Sequence, residues 1–377
     1  MKTKLTCTAL ILFSLASCLT PTEKNDDNKY LTLEYNRIKK QETTSFFDFS
    51  KMKIIQLESK GEYFLSDNYE IQFFDNNYFV YDFVKNEFYR YDYDGKFLNT
   101  ISNYGGSEEE YSNVSSFSID EKKKMVEIMC NQSKYIKRYG YNGEFIDKYT
   151  IPIRGTGFTK GYNNDYWFYM VIEGNGQLSN RLHYVDSLET IQSSLPLKTN
   201  LMGAMEQNFF KSEDHILFRE SFFPYIYKLA GGKAIPIIKF DFGESEITES
   251  VFEMEKDPFV FFDRINRTGF FTTTKVVYGD ELLAVTCQYQ KAGNKTKISG
   301  VFYDFKDENA TLLEYSEEKV GELLSNSKLV RIDKDRFFYF IIDPITFQDY
   351  IKYVKTEIDD VYTPDENYII FSIPLKN

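Results

Sequence analysis

The sequence predicts an all-β fold, a six-bladed β-propeller whose blades are four-stranded antiparallel sheets. Three observations predict it: a recurring aromatic hairpin, a long series of short strand-like runs, and a high content of rings. Phenylalanine and tyrosine, with 35 and 30 residues, supply nearly all of the 18% aromatic content of the 377-residue chain. Because flat rings pack well on a pleated surface, this composition favours strands.

The recurring hairpin is clearest in two segments, residues 91–98 and 139–146. Both have the order aromatic, turn pair, charge, Phe, aliphatic, with Asp94-Gly95 and Asn142-Gly143 as the turn pairs. Glycine at these positions supplies the positive φ angle that a tight hairpin needs. Weaker copies occupy residues 183–191 and 224–233. Repeats of about 40–50 residues that contain several short strands are typical of propeller blades.

The number of blades follows from the length of residues 50–377, which we interpret as the propeller. Six blades would take about 55 residues each and seven about 47. A charged stretch of helical character at residues 243–267 accounts for extra length, so we predict six blades and an insertion there. A ring of sheets exposes an edge unless its ends are joined. We therefore expect the strand-like runs at 52–57 and 368–373 to share one blade.

The first 17 residues resemble the signal peptide of a bacterial lipoprotein. Lys2 and Lys4 precede an apolar run at residues 5–15, which is too short to span a bilayer as a helix. The run ends in Leu15-Ala16-Ser17-Cys18, which is similar to a lipobox. The resemblance implies cleavage before Cys18 and lipidation of its thiol, with residues 18–49 as a flexible tether. An ordinary secretory signal followed by a chance cysteine is the alternative.

The charge of the chain limits its partners. The formal net charge is −12 at pH 7, and an acidic protein is repelled by nucleic-acid phosphates. We therefore expect no nucleic-acid partner. Anionic lipid headgroups are repelled as well, so attachment to a membrane has to be covalent or through a partner. The predicted location is the outer membrane, with the lipid-anchored domain facing the periplasm or the cell surface.

A catalytic site is not evident in the sequence. The two histidines, His183 and His215, lie in separate predicted blades without the spacing of a zinc site. They are weak catalytic candidates, since propeller lyases and hydrolases place histidines and carboxylates at the tunnel mouth. The alternative is one histidine on a strand and one in a loop. Neither a Gly-x-Ser-x-Gly elbow nor a phosphate-binding Gly-Lys-Ser/Thr loop occurs in the sequence.

We expect neither a cofactor nor a metal ion, although calcium stays open. The segments Glu108-Glu109-Glu110 and Asp359-Asp360 are rich in the oxygen ligands that Ca²⁺ prefers. A solvated loop surface is the alternative for both. Cys130 and Cys287 lie in apolar strand-like runs, where buried free thiols are expected and a disulfide is the alternative.

An aromatic platform is a candidate binding surface. Tyr162, Tyr166 and Trp167 alternate with amide side chains in residues 162–168, a mixture that suits stacking and hydrogen bonding to sugars. The alternative is a hairpin turn followed by a strand of the core.

Several segments together resemble a family of six-bladed β-propeller lipoproteins of Bacteroidetes, which are similar to NHL-repeat propellers. They include Ile55-Gln56-Leu57-Glu58, the hairpin at 93–98, and Asp241-Phe242-Gly243. The family's Gly-Pro-Gly-Glu-Tyr segment is reduced to its Glu-Tyr end, Glu110-Tyr111. The resemblance implies a fold and a compartment but no reaction. The residues around Ser187 also resemble the short Asp-Ser/Thr-aliphatic acceptor of O-glycosylation in the same bacteria.

These observations predict a lipid-anchored binding or scaffold protein of the cell envelope. Propellers present rigid loops and a central funnel, where ligands usually bind. The expected partner is an envelope protein, a peptide or a glycan. The alternative is a lyase or hydrolase with its active site at the tunnel mouth.

Overall fold

The computed structural model describes residues 30–59, 61, 64–101, 103–131, 134–153, 155–170, 180–196, 207–212, 214–254, 257–354 and 367–376. These residues form six sheets, each with at least four strands, in a ring. Neighbouring sheets meet along their first strands. The prediction of a six-bladed β-propeller with four-stranded antiparallel blades is confirmed.

The N-terminal segment is part of the propeller from residue 31 onward. It contains β1 (Leu31–Glu34), β2 (Lys39–Lys40), α1 (Thr43–Phe46) and β3 (Lys53–Gln56).

Blades 1 to 3 follow in chain order. Their strands are, for blade 1, β4 (Tyr69–Phe74), β5 (Asn77–Asp82), β6 (Glu87–Asp92) and β7 (Phe97–Ile101); for blade 2, β8 (Val114–Asp120), β9 (Met125–Cys130), β10 (Tyr135–Gly140) and β11 (Phe145–Thr150); and for blade 3, β12 (Gly157–Lys160), β13 (Tyr166–Tyr169), β14 (Asn180–Val185) and β15 (Ile191–Pro196).

Blades 4 to 6 carry the helical connections. Their elements are, for blade 4, β16 (Phe209–Lys211), β17 (Ile216–Arg219), β18 (Tyr225–Ala230) and β19 (Lys233–Asp241); then α2 (Glu249–Met254) and α3 (Pro258–Thr268); for blade 5, β20 (Phe270–Gly279), β21 (Leu282–Gln290), β22 (Lys297–Asp304) and β23 (Asn309–Glu314); then α4 (Lys319–Ser325); and for blade 6, β24 (Lys328–Ile332), β25 (Phe337–Ile342), α5 (Pro344–Ile351) and β26 (Ile369–Pro374).

The N- and C-terminal strands meet in blade 6, as predicted. Strand β3 pairs antiparallel with β26, with Ile54 opposite Phe371, and forms the outermost strand of that blade. The closure is broader than the sequence indicated, because β1 pairs with β19 of blade 4 and β2 with β23 of blade 5, both in parallel. We call residues 31–56 the N-terminal strap, since this segment crosses the outer edges of three consecutive blades.

The strap corrects the expected extent of the flexible tether. Residues 18–49 were expected to be a tether, but Leu33 and Phe47 are each only 1% exposed. Leu33 packs between blades 4 and 5, and Phe47 packs on blades 5 and 6. The folded domain therefore begins near residue 30 instead of residue 50. The sequence did not reveal this boundary. The polar residues 19–29 are followed by strands of only four and two residues, which are too short to stand out from a tether.

The repeated hairpin occupies equivalent places in adjacent blades. Tyr91 pairs with Phe97 next to a bulge in blade 1, and Tyr139 pairs with Phe145 next to a bulge in blade 2. Gly95 has a φ of 83°, and a Cβ atom there would lie 2.5 Å from the carbonyl oxygen of a strap residue. The two weaker copies form the same hairpin, between the third and fourth strands, in blades 3 and 4.

The core lies between neighbouring blades, where rings from facing sheets interlock. Between blades 1 and 2, Phe88 contacts Phe117 edge to face, with ring centroids 4.9 Å apart. Phe88 and Phe117 are 1% and 2% exposed. Such burial of large rings is the main stabilising contribution in a propeller, because each blade alone leaves both of its faces uncovered.

The stretch at 243–267 contains α2 and most of α3, between blades 4 and 5. The side chain of Asp257 accepts hydrogen bonds from the amides of Phe259 and Val260, and Pro258 occupies the first turn of α3, both of which favour helix initiation. Phe252 and Phe261 pack against each other and against the loop between β17 and β18. Within the described part of the chain, no helix is long and apolar enough to cross a membrane.

Candidate functional site

A large cavity lies on the axis of the ring and is lined by residues of all six blades. Its volume is ≈ 1610 Å³. The walls come from the first strand of each blade, namely β4, β8, β12, β16, β20 and β24, together with their hairpin turns. A first strand has a neighbour on only one side, so its free edge and adjacent side chains face the axis. We call this space the central cavity.

Strand register places six polar side chains at one level of the central cavity. Each lies four residues before the last paired residue of the first strand of its blade, which in a regular strand is about 13 Å from the hairpin turn. Thr156 and Gln207 directly precede β12 and β16, and a bulge between Leu329 and Arg331 brings Lys328 one pairing step closer to its turn. This set, which we call the polar ring, consists of Glu70, Ser116, Thr156, Gln207, Lys275 and Lys328, and all six line the cavity.

Lys275, on β20, is the most perturbed cation of the polar ring. Its Nζ atom donates a hydrogen bond of 2.7 Å to Oε1 of Gln207 and lies 5.2 Å from the centroid of the Phe210 ring. Desolvation by the surrounding wall lowers the pKa of Lys275 to about 8, against the opposing attraction of Glu70. Lys275 therefore remains mostly protonated at neutral pH and loses its charge under mildly alkaline conditions.

Lys328, at the start of β24, lies on the neighbouring blade. Its Nζ atom is 3.8 Å from the centroid of the Tyr69 ring and 3.5 Å from the carbonyl oxygen of Tyr69. A cation above a ring is attracted by the negative face of the π system. Desolvation also lowers the pKa of Lys328.

Glu70, on β4, contributes the carboxylate of the polar ring. Nε2 of Gln72 donates a hydrogen bond of 2.9 Å to Oε1 of Glu70 and also reaches the carbonyl oxygen of Phe117 in blade 2. Burial raises the pKa of Glu70, while the hydrogen bond from Gln72 and the charge of Lys275 oppose this shift. Among the described residues, neither Lys275 nor Lys328 lies within ion-pair distance of a carboxylate. The two ammonium groups thus face the cavity without a direct counter-ion.

Two further cations lie in the wall of the central cavity, closer to the hairpin turns. The guanidinium carbon of Arg331 is 3.9 Å from the ring centroid of Phe73 and 3.7 Å from that of Tyr339. Its Nε and Nη2 atoms have no hydrogen-bond partner among the described atoms. Nζ of Lys211 donates to the carbonyl oxygen of Ile119 at 3.1 Å, and desolvation lowers the pKa of Lys211.

The aromatic platform expected at Tyr162, Tyr166 and Trp167 does not form a surface. Tyr166 and Trp167 are 4% and 1% exposed on β13, where they pack against blades 2 and 4 respectively. Tyr162 is half-buried in the turn before β13 and donates a hydrogen bond of 2.6 Å to the carbonyl oxygen of Ser212. The alternative, a hairpin turn followed by a core strand, describes this segment.

The buried hydroxyl of Tyr166 instead belongs to a charged cluster near a smaller cavity of ≈ 230 Å³. It donates to Oε1 of Glu127 at 2.8 Å, and Nζ of Lys160 lies 3.3 Å from the same oxygen and 3.5 Å from Oδ2 of Asp120. Desolvation raises the pKa of Glu127 despite the nearby ammonium group. The cluster links blades 2 and 3 through paired charges.

The two histidines do not converge on one mouth of the cavity. His183 lies on β14, the third strand of its blade, and is fully buried. Its Nδ1 atom is 2.8 Å from Oγ of Ser193, and its Nε2 atom is 3.0 Å from the carbonyl oxygen of Asn180. His215 lies in the turn after β16, with its ring 4.4 Å from that of Tyr278. Burial lowers the pKa of both histidines.

The remaining predicted positions fall into three groups. Ser187 is exposed in the turn between β14 and β15. Cys18 and Asp359-Asp360 lie outside the described residues. Cys130 and Cys287 are buried free thiols, as expected. Within the described ranges no cluster of three or more His, Cys, Asp or Glu side chains is arranged to hold a metal ion.

The polar ring is not evident in the sequence. Lys275 follows three threonines and precedes two valines in a strand-like run, and it could have been noticed as a charge in an otherwise uncharged strand. To see that Lys275 lies beside Glu70 and Lys328, one has to know the pairing register of the first two strands in each of the three blades. That register depends on turn lengths, which differ between blades.

The solved structures that are similar to this chain include two from Bacteroides. One is a protein from Bacteroides fragilis that is provisionally described as exported. It has 15% sequence identity and a TM-score of 0.71, and the match covers 90% of this chain and 99% of that one. The other is a member of the DUF4221 family from Bacteroides vulgatus, with 10% identity, a TM-score of 0.50, and coverage of 87% and 97%. At these identities the likeness shows the fold alone.

No curated protein matches the chain significantly. The model of one protein family matches residues 30–372, a range that begins one residue before the N-terminal strap. This match, which includes all six blades, shows that the chain belongs to the family described as domain of unknown function DUF4934.

Proposed function

We propose that this protein is a lipid-anchored binding protein of the bacterial cell envelope and that its central cavity is the ligand site. The observation that carries the proposal is the cavity itself, ≈ 1610 Å³ in volume and lined by polar and aromatic side chains of every blade. Binding sites are typically concave, largely apolar, and equipped with a few convergent polar groups. The ligand would be a small molecule or part of a peptide, glycan or envelope protein.

The lipid anchor is supported by the sequence that ends in Cys18. Anchoring to the outer membrane would place the cavity in the periplasm or at the cell surface. The test is metabolic labelling with a radioactive fatty acid and membrane fractionation of cells that produce the full chain. We expect Cys18→Ala to abolish labelling and Cys7→Ala to leave it unchanged. Equal labelling of both variants would contradict the anchor.

Ligand binding in the cavity is tested by recovering material bound to the protein and identifying it by mass spectrometry. Thr274 lines the cavity, and a tryptophan at this position would fill space on the axis. Thr190 is exposed in a turn outside the cavity, so Thr190→Trp is a matched control. We expect the wild type and Thr190→Trp to retain the ligand and Thr274→Trp to lose it.

Two results would contradict this role. Recovery of the same ligand by all three proteins would place binding outside the cavity. Turnover of a substrate, with no binding partner under any condition, would favour the lyase or hydrolase alternative. Such an enzyme would have to use groups other than the histidines, because His183 is fully buried and the lining of the central cavity does not include His215.

A further inference from the structure

We infer that the polar ring binds an acidic group, a carboxylate or a phosphate, of a molecule that enters the central cavity. This inference rests on the proposed function, because it takes the cavity to be the ligand site. It adds the chemical class of the ligand and the residues that recognise it.

The residues that would recognise the acidic group come from four consecutive blades. Gln207 precedes the first strand of blade 4, Lys275 and Lys328 belong to blades 5 and 6, and Glu70 belongs to blade 1. Contacts between blades fix them at this level. Lys275 is bound to Gln207, and Lys328 is bound to the backbone of Tyr69, the residue before Glu70. The ring is therefore a prearranged set of side chains on rigid strands.

The charges of this set favour an anion. At the polar ring two ammonium groups face the carboxylate of Glu70, and burial raises the pKa of Glu70, so that it is the weaker counter-charge. Asp67 also attracts Lys328, from beyond ion-pair distance. The guanidinium groups of Arg219 and Arg331 add positive charge nearby, since Arg219 acts on Lys275 and Arg331 lines the same cavity. Among the described residues, the lining of the whole cavity has six acidic and six basic side chains. Five of the six carboxylates lie in the hairpin turns and not at the polar ring: Asp75, Glu121, Asp214, Asp280 and Asp333. The positive charge is therefore local to the level of the polar ring. A cavity with walls of low dielectric constant concentrates such a field and attracts ions of the opposite sign.

The hydrogen-bonding capacity of the lysines is only partly used. An ammonium group has three donors, whereas Lys275 has one acceptor among the described atoms, Oε1 of Gln207, and Lys328 has one at 3.5 Å. The oxygens of a carboxylate or phosphate would supply the missing acceptors and the missing counter-charge together. Charge-assisted hydrogen bonds of this kind are about twice as strong as neutral ones.

The size of the cavity indicates that the acidic group is one part of a larger ligand. A simple anion occupies a small fraction of ≈ 1610 Å³. Half-buried rings of Phe73 and Tyr278 line the same walls and can pack against an uncharged part of the ligand. The polar ring then provides charge recognition, while the aromatic wall provides contact area.

The experiment measures binding of citrate and of inorganic phosphate by titration calorimetry at pH 7, with chloride added to equal ionic strength. Citrate represents carboxylates and phosphate represents phosphoryl groups, so the two arms separate the sources of the acidic group. We expect millimolar or tighter binding of at least one of them to the wild type. Lys275→Gln and Lys328→Gln should each weaken it roughly tenfold or more, or about 1.4 kcal/mol.

Two control variants test whether the charge at the polar ring determines anion binding. Glu70→Gln removes the opposing charge and is expected to tighten binding. Lys96→Gln removes an exposed lysine of the turn between β6 and β7 and should change nothing. If Lys275→Gln does not fold, Lys275→Arg keeps the positive charge and is expected to retain binding.

Three outcomes would overturn the inference: neither anion binds the wild type beyond the chloride control, Lys275→Gln and Lys328→Gln bind as the wild type does, or Glu70→Gln weakens binding. The proposed function would survive each of them if material recovered from the cavity is still lost in Thr274→Trp. If Thr274→Trp retains the recovered material as the wild type does, while the wild type still binds citrate or phosphate, the proposed function is refuted and the anion site remains.

Discussion

The N-terminal strap should be an integral part of the fold, and the substitution Phe47→Ala tests this. Phe47 is 1% exposed. Its ring centroid lies 5.7 Å from that of Phe302 in blade 5, and 5.1 Å and 6.2 Å from those of Phe338 and Phe340 in blade 6. Truncation removes the buried ring and leaves a cavity between two blades and the strap.

The expected loss follows from the burial of the ring. Replacement of a fully buried phenylalanine by alanine costs about 3–5 kcal/mol in the free energy of unfolding. Phe47 belongs at the upper part of this range, because it contacts several rings edge to face, and each such pair contributes about 0.5–1.5 kcal/mol. A residue of a flexible tether would contribute nothing measurable.

The assay is urea unfolding of the chain from residue 30 onward, followed by tyrosine fluorescence and circular dichroism. Phe259→Ala is the matched control, since the same side chain on α3 is 87% exposed and its truncation should change the free energy by less than about 0.5 kcal/mol. If Phe47→Ala lowers the free energy of unfolding by less than about 1 kcal/mol, the strap does not unfold together with the blades, and our reasoning fails.

Three further outcomes follow from the structure. Lys275→Met should raise stability at pH 7, because the folded-state pKa of about 8 lies below the unfolded value and charging the buried amine costs free energy. The charges of Glu70, Lys328 and Arg219 act on Lys275. The gain in stability should shrink as urea unfolding is measured from pH 8 towards pH 10.5, because the wild-type amine loses its charge over this range, and a constant gain would contradict this reasoning. Glu220→Gln should cost about 3 kcal/mol or more, since Glu220 accepts two hydrogen bonds of 2.6 and 2.9 Å from the buried Arg181. Glu108→Gln, at an exposed ion pair, should leave the free energy of unfolding nearly unchanged. If Ser187 is glycosylated, intact native protein should lose the mass of the glycan in Ser187→Ala, and equal masses after the side-chain difference would exclude it.

Much of the fold could be predicted from the sequence because the repeated hairpin is a local signal. Gly95 and Gly143 supply the positive φ angles of their turns, and the aromatic residues around them alternate with strand periodicity. Local rules of this kind act within about ten residues. They therefore predicted the hairpins of the blades. The number of blades came from the length of the chain, and the closing strand came from the need to join the two ends of the ring.

The N-terminal strap could not be predicted in the same way. Strands β1 and β2 have four and two residues, which is too short for a pattern to be recognised. Both are strands only because the outer edges of blades 4 and 5 offer hydrogen bonds to them. Tertiary contacts of this type override the weak local preferences of a short polar segment.

The candidate site was predicted least well, for a similar reason. Trp167 and Tyr166 attracted attention because rings and amides occur together in the sequence, but interlocking of neighbouring blades buries both. The polar ring is composed of single residues from separate blades, and only the register of Glu70, Lys275 and Lys328 brings them to one level. Composition could not distinguish these lysines from exposed ones.

The strap has a consequence for the order in which this protein can assemble. Its residues leave the ribosome first, yet their partners are β19, β23 and β26, which are up to about 320 positions later in the chain. Contacts between such distant positions form late, because closing a long loop is entropically costly. During synthesis β1 and β2 can therefore pair only after β19 and β23 have been made, and β3 only after β26 has been made. A chain that loses its last ten residues would keep the first two pairings and leave β3 without its partner strand.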